Sequence, residues 1–149
     1  MEASESKFNI TVTIRNIRKA REELRAAIGR EADLSAPLLT DYALLPEIYR
    51  MFCDAHGVTE IKTVVDRKMF IFIVQYLYAP RNLFGRKMPK DLRKEIASVL
   101  GMNAMSAVSD NGRNSLFNYQ VYTQFRTKVN RIFGVIVERL RERGHLKIP

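Results

Sequence analysis

Asn103, Ser106, Ser109, Asn111, Arg113 and Asn114 gather short amides, hydroxyls and one guanidinium into a single stretch of chain. An asparagine amide can pair bidentately with adenine N6/N7, and an arginine with guanine O6/N7. Just upstream, Arg86, Lys87, Lys90, Arg93 and Lys94 supply five cations. Cations of this kind hold phosphates and set register without reading sequence. The chemistry these two groups offer is recognition and charge neutralisation, not bond-making.

Bond-making chemistry has few candidates elsewhere. The chain has two histidines, His56 and His145, and one cysteine, Cys53. Cys53 and His56 supply at most two ligands, short of a zinc site. A lone cysteine makes no internal disulfide and reads as a small buried hydrophobe. No glycine-rich phosphate loop follows a strand pattern. The carboxylates are scattered among basic residues, at spacings typical of solvated helix surfaces. Tyr49, Tyr76, Tyr78, Tyr119 and Tyr122 read as the rim of a core. No catalytic residue, metal or cofactor is expected, and the chain reads as no enzyme.

Helices must position the recognition groups. Phe8, Ile10, Val12 and Ile14 alternate over a span too short to build a sheet, after a frayed Met1–Ser6 tail. Ile14, Ile17, Arg21, Leu24 and Ile28 then share a helical stripe, with Ala20 and Ala27 beside it, and Gly29 marks its expected end. A loop over Glu31–Thr40 leads to a helix over Leu45–Ala55, with Pro46 and Glu47 in its first turn and Gly57 closing it. Thr59 or Asp66 is expected to cap the next helix. That helix is apolar nearly all round from Phe70 to Tyr78, so it belongs at the centre of a bundle, and Pro80 ends it. Leu83, Phe84 and Met88 are expected to pin the loop that follows.

The helix Asp91–Leu100 presents Leu92, Ile96, Val99 and Leu100 inward and its lysines outward. Gly101-Met102-Asn103 makes a sharp turn. Ala104, Met105 and Val108 anchor a second, short helix that Gly112 is expected to stop. A final helix is expected from Ser115 to Arg143. Its seam runs through Phe117, Val121, Phe125, Val129, Ile132, Ile136 and Leu140 and is long enough to pair with a second copy.

The segment LRKEIASVLGMNAMSAVSDN resembles the helix-turn-helix of bacterial DNA-binding domains. It is similar to the Trp-repressor type and to the C-terminal domain of the chromosomal replication initiator. Ile96-Ala97 before a Leu100-Gly101 turn matches the pattern, and Val108-Ser109 resembles the centre of its recognition helix. The chain departs from it at Asp110, where an apolar residue belongs, and at Gly112. The resemblance implies that the second helix enters the major groove and that the apolar helix before Pro80 supports it.

Charge agrees with such a partner. The chain has 149 residues and a net charge of +9. Up to His56, 8 Lys/Arg meet 9 Asp/Glu; from Gly57 onward, 17 meet 7. The entire excess therefore lies in residues 57–149, as a polyanion partner requires. At 46% hydrophobic and 28% charged residues the chain is globular. No apolar run approaches a membrane span, and MEASESKFN has neither the basic start nor the apolar stretch of a secretory signal. The expectation is a cytoplasmic, all-α protein. It is one domain over 1–149, a compact bundle of five or six helices containing a helix-turn-helix and a long C-terminal helix, with neutral residues 1–56 and basic residues 57–149. It would bind double-stranded DNA in transcription or replication control, as a homodimer through the 117–140 helix. The alternative is a helical protein–protein adaptor or particle component whose basic face meets an acidic partner.

Overall fold

The computed structural model describes residues 9–146, and among these described residues there are six α-helices and two short 3-10 turns and no strand. The all-helical class expected from the sequence is the one that forms. Residues 1–36 and 37–149 make two separate units. Phe8, the Met1–Ser6 tail and the last three residues lie outside the described range.

The first unit contains α1, Ile10–Leu34. The alternation that begins at Phe8 is therefore helical from Ile10 onward. Asn9 caps α1, its side-chain oxygen accepting from the Val12 amide at 3.2 Å. The helix runs five residues past Gly29, the expected stop, to Leu34. Gly29 has nothing near the position of an added Cβ and no left-handed backbone, so it is a tolerated helical glycine and not a terminator.

The second unit begins with a 3-10 turn, Tyr42–Leu44, and α2, Leu45–His56. Pro46 and Glu47 sit in the first turn of α2, where a missing N–H is harmless and a carboxylate complements the dipole. Then come α3, Val64–Tyr78, a 3-10 turn at Pro80–Phe84, and α4, Lys90–Leu100. The chain ends with α5, Met105–Val121, and α6, Thr123–Glu142. The cap of α3 is Thr63, not Thr59 or Asp66: its hydroxyl accepts from the Asp66 amide at 3.1 Å.

Helix α3 is the axis of this unit. Met69, Phe70, Ile71, Phe72, Ile73, Val74 and Leu77 are all buried, as a helix apolar on every side must be. Helix α2 adds Leu45, Ile48, Met51 and Phe52; α4 adds Leu92 and Ile96; α6 adds Val129, Ile132, Ile136 and Leu140. The backbone carbonyl of Leu77, at the end of α3, accepts from both Leu38 and Leu39 amides at 2.9 and 3.0 Å. That satisfies a carbonyl the helix itself leaves open. In the connection after Pro80, Met88 is buried and Leu83 half-buried, but Phe84 is 76% exposed and pins nothing.

Two boundaries near the C-terminus differ from expectation. Helix α5 does not stop at Gly112 but continues nine residues to Val121. The expected helix over Ser115–Arg143 is also divided, because Tyr122 is extended (φ −98°, ψ 108°). The seam divides with it: Phe117 and Val121 are more than half exposed, whereas Phe125 through Leu140 are buried within the unit. Arg139 reaches Asp54 at 3.1 Å, Arg143 reaches Glu47 at 2.6 Å, and Arg131 donates to the Ala55 carbonyl at 2.8 Å, so α6 closes on α2. Of the face expected to meet a second copy, the part from Phe125 to Leu140 is taken up inside the chain, and Phe117 and Val121 are not.

Candidate nucleic-acid interface

The turn between α4 and α5 is built by Gly101, which ends α4 at φ +66°. A side chain at that φ would press Cβ against the following carbonyl, which costs about 1–2 kcal/mol. With glycine the chain reverses: the Met102 amide donates to the Ala97 carbonyl at 2.8 Å and the Gly101 amide to Ser98 at 3.3 Å. This bonding satisfies the carbonyls left open at the helix end. Residues 101–104 separate the helices, a turn of helix-turn-helix length.

Helix α5 has a clear inside and outside. At about 100° per residue, Val108, Gly112, Ser115 and Tyr119 form one stripe, and the first three are buried. Gly112 lies where α5 crosses α3. A Cβ there would stand 2.7 Å from Gln75 Nε2 and 3.5 Å from Ile71 Cγ2. The single Ser115 hydroxyl proton is shared between the Gly112 carbonyl at 2.7 Å and Gln75 Oε1 at 3.2 Å. Gln75 and Ser115 are 3% and 0% exposed. Buried polar groups need partners, and these two supply each other's. Below them Tyr119 stacks on Phe72, with centroids 4.7 Å apart, and donates to Asn130 of α6 at 2.8 Å.

The opposite stripe carries Ser106, Asp110, Arg113 and Phe117, all exposed, with Asn114 beside them and Asn103 exposed in the turn. Of the six residues expected to read bases, Asn103, Ser106, Arg113 and Asn114 are therefore presented outward. Ser109 and Asn111 are half-buried on opposite flanks of the helix, so they do not share that face. Two residues on the stripe were not among those expected. Asp110 pairs with Arg113 one helical turn away. Phe117 is 57% exposed and lies edge-to-face with Tyr122, their centroids 6.1 Å apart. The only sequence signal for them was period, since 106, 110, 113 and 117 are spaced as one helix face.

Arg86, Lys87, Lys90 and Lys94 are exposed, Arg93 is half-buried, and none of the five has an ion-pair partner among the described residues. Arg139 and Arg141 of α6, and Arg143 just after it, are each paired with a carboxylate. Lys128 of α6, Arg50 of α2 and Arg67 and Lys68 of α3, like the five near α4, have no carboxylate partner among the described residues.

The remaining reactive groups are built into the fold. Burial raises the Cys53 thiol above its usual range, which leaves it protonated and inert at neutral pH. His56 Nε2 meets Asp66 Oδ1 at 2.9 Å, linking α2 to the first turn of α3. The Tyr49 hydroxyl accepts from the Ile61 amide at 2.9 Å. Among the described residues no group of three His, Cys, Asp or Glu side chains could hold a metal ion, and no helix is long and apolar enough to cross a membrane. No family model, curated protein or solved structure matches the chain.

Proposed function

We propose that the second unit binds double-stranded DNA through a helix-turn-helix, α4 and α5. In this reading α5 lies in the major groove and the start of α4 lies along the backbone. The observation that carries the reading is the exposed, largely polar face of α5, raised past a four-residue turn and following five cations that have no carboxylate partner among the described residues. Asn103, Ser106, Arg113 and Asn114 meet base edges. Asp110, paired with Arg113, can accept from a cytosine amino group. Phe117 offers apolar contact to a thymine methyl. Arg86, Lys87, Lys90, Arg93 and Lys94 grip phosphates.

The setting this implies is control of transcription or replication, with no chemical step. Selection from random DNA duplexes tests it: a short shared motif is expected, and recovery of an unselected pool overturns it. The two classes of residue separate by substitution. Arg113→Ala is expected to cost about 1–3 kcal/mol at one base position and to relax preference there. Lys90→Ala is expected to weaken all duplexes alike. Equal behaviour of the two variants would refute the division between reading and gripping groups.

A further inference from the structure

Helix α1 has 25 residues, about 37 Å at 1.5 Å per residue, and buries none of them. Ile10, Ile14, Ile17, Leu24 and Ile28 are between 47% and 76% exposed. Most helices are stable only because an apolar face is packed. The unpacked stripe of α1 has a particular period. Ile10, Ile17 and Leu24 recur every seven residues, as do Ile14, Arg21 and Ile28, so the two-position seam has a period of 3.5. A straight helix of 3.6 residues per turn drifts off such a seam, and a supercoiled pair follows it. The stripe is also narrow, two positions in seven, as a helix partner requires; a lipid surface favours a broad apolar face.

The charges indicate what the partner is and which way it runs. Residues 10–21 contain Arg15, Arg18, Lys19 and Arg21 and no carboxylate, a net of +4. Residues 22–34 contain Glu22, Glu23, Glu31 and Asp33 against Arg25 and Arg30, a net of −2. This polarity runs against the helix's own dipole, with no acid in the first turn and no base in the last. A second α1 laid antiparallel corrects both faults, setting acidic half against basic half and opposing the dipoles.

We propose that α1 pairs antiparallel with α1 of a second copy as a two-stranded coiled coil. In the register that buries the most apolar surface, Ile10 faces Ile28 of the other copy and Ile14 faces its Leu24. Arg21 then lies against Ile17 of the other copy, whereas a parallel pair would stack Arg21 on Arg21. Arg15 and Arg18 come within about 3 Å of Glu22 of the other copy along the axis, at 1.5 Å per residue. Ala20 and Ala27 flank the seam and allow close approach. The pairing is independent of the DNA-binding reading, because it is measured without DNA.

Sedimentation of the full chain over roughly a hundredfold range of concentration tests the proposal. Dimer is expected, and a chain that stays monomeric throughout overturns it, including one that binds anionic lipid vesicles instead. The Ile14→Asp/Leu24→Asp variant is expected to be monomeric with the thermal unfolding of residues 37–149 unchanged; a variant that remains dimeric overturns the role of α1. Orientation is read in a Cys53→Ala background by mixing Ile10→Cys with Ile28→Cys chains under mild oxidation. Disulfides between the two different chains support the antiparallel pair, and Ile10→Cys chains bridged to themselves overturn it.

Discussion

Tyr78 shows how one hydroxyl ties a loop to the central helix and makes the fold sensitive to alkali. It is 4% exposed and donates to the Asp41 carbonyl at 2.7 Å. Burial pushes its ionisation well above the usual phenol range, with the Asp41 carboxylate and Tyr42 adding to the shift. In the unfolded chain a tyrosine ionises near pH ~10. The folded state therefore holds this proton more tightly, and its contribution is complete below about pH 10 and lost as pH rises beyond it. Denaturant unfolding is expected to show stability falling above about pH 10. In Tyr78→Phe the fall should be shallower but still present, because burial also raises Tyr49. At neutral pH that variant should lose about 1 kcal/mol with the hydrogen bond.

At the scale of elements, the crossing of α3 and α5 depends on the absence of a side chain at Gly112. Gly112→Val would press two methyls toward Ile71 and drive the Gln75 amide from Ser115, at an expected cost of at least about 2 kcal/mol. Gly134 in α6 has open space around it, so Gly134→Ala should instead stabilise by up to about 1 kcal/mol. Urea unfolding of the two variants checks the contrast; similar shifts in one direction would mean that helix propensity alone governs both sites. The pair also explains what could be read from the sequence. Pro46, Gly57, Pro80 and Gly101 marked helix ends through local backbone chemistry, and those ends are where expected. Gly112 has the same local chemistry but answers to Gln75, 37 positions earlier. Tyr122 breaks the last helix with no glycine or proline to announce it, and the apolar spacing passes straight through. Phe117 and Val121 are apolar by type and exposed in place. For the candidate site, residue type identified Asn103, Ser106, Arg113 and Asn114 correctly as outward groups. It could not separate Ser109 and Asn111 from them, because their flanking positions follow from the helical phase that buries Val108 and Gly112 against the core.

For the molecule as a whole, the question is where its +9 charge acts. Residues 57–149 hold the excess, and α1 and α2 together are close to neutral. If five cations near the start of α4 displace counterions from DNA, affinity should fall about 500-fold between 50 and 200 mM salt. Lys90→Ala should reduce the slope of log affinity against log salt by about one unit. Binding that ignores salt would remove these residues from the interface. Salt should act on the two units differently, since α1 carries both signs of charge and depends chiefly on its isoleucine and leucine seam.

The two sides of α5 have different tenants and different leases. Val108, Gly112 and Ser115 are locked into the interior, while Ser106, Arg113, Asn114 and Phe117 are exposed, Phe117 resting only edge-on against Tyr122. Vocabulary can thus be rewritten on the outward residues while the grammar of the fold stays intact. A library randomised at those four positions should yield mostly folded proteins, and whatever new preferences emerge from it would belong to the words alone.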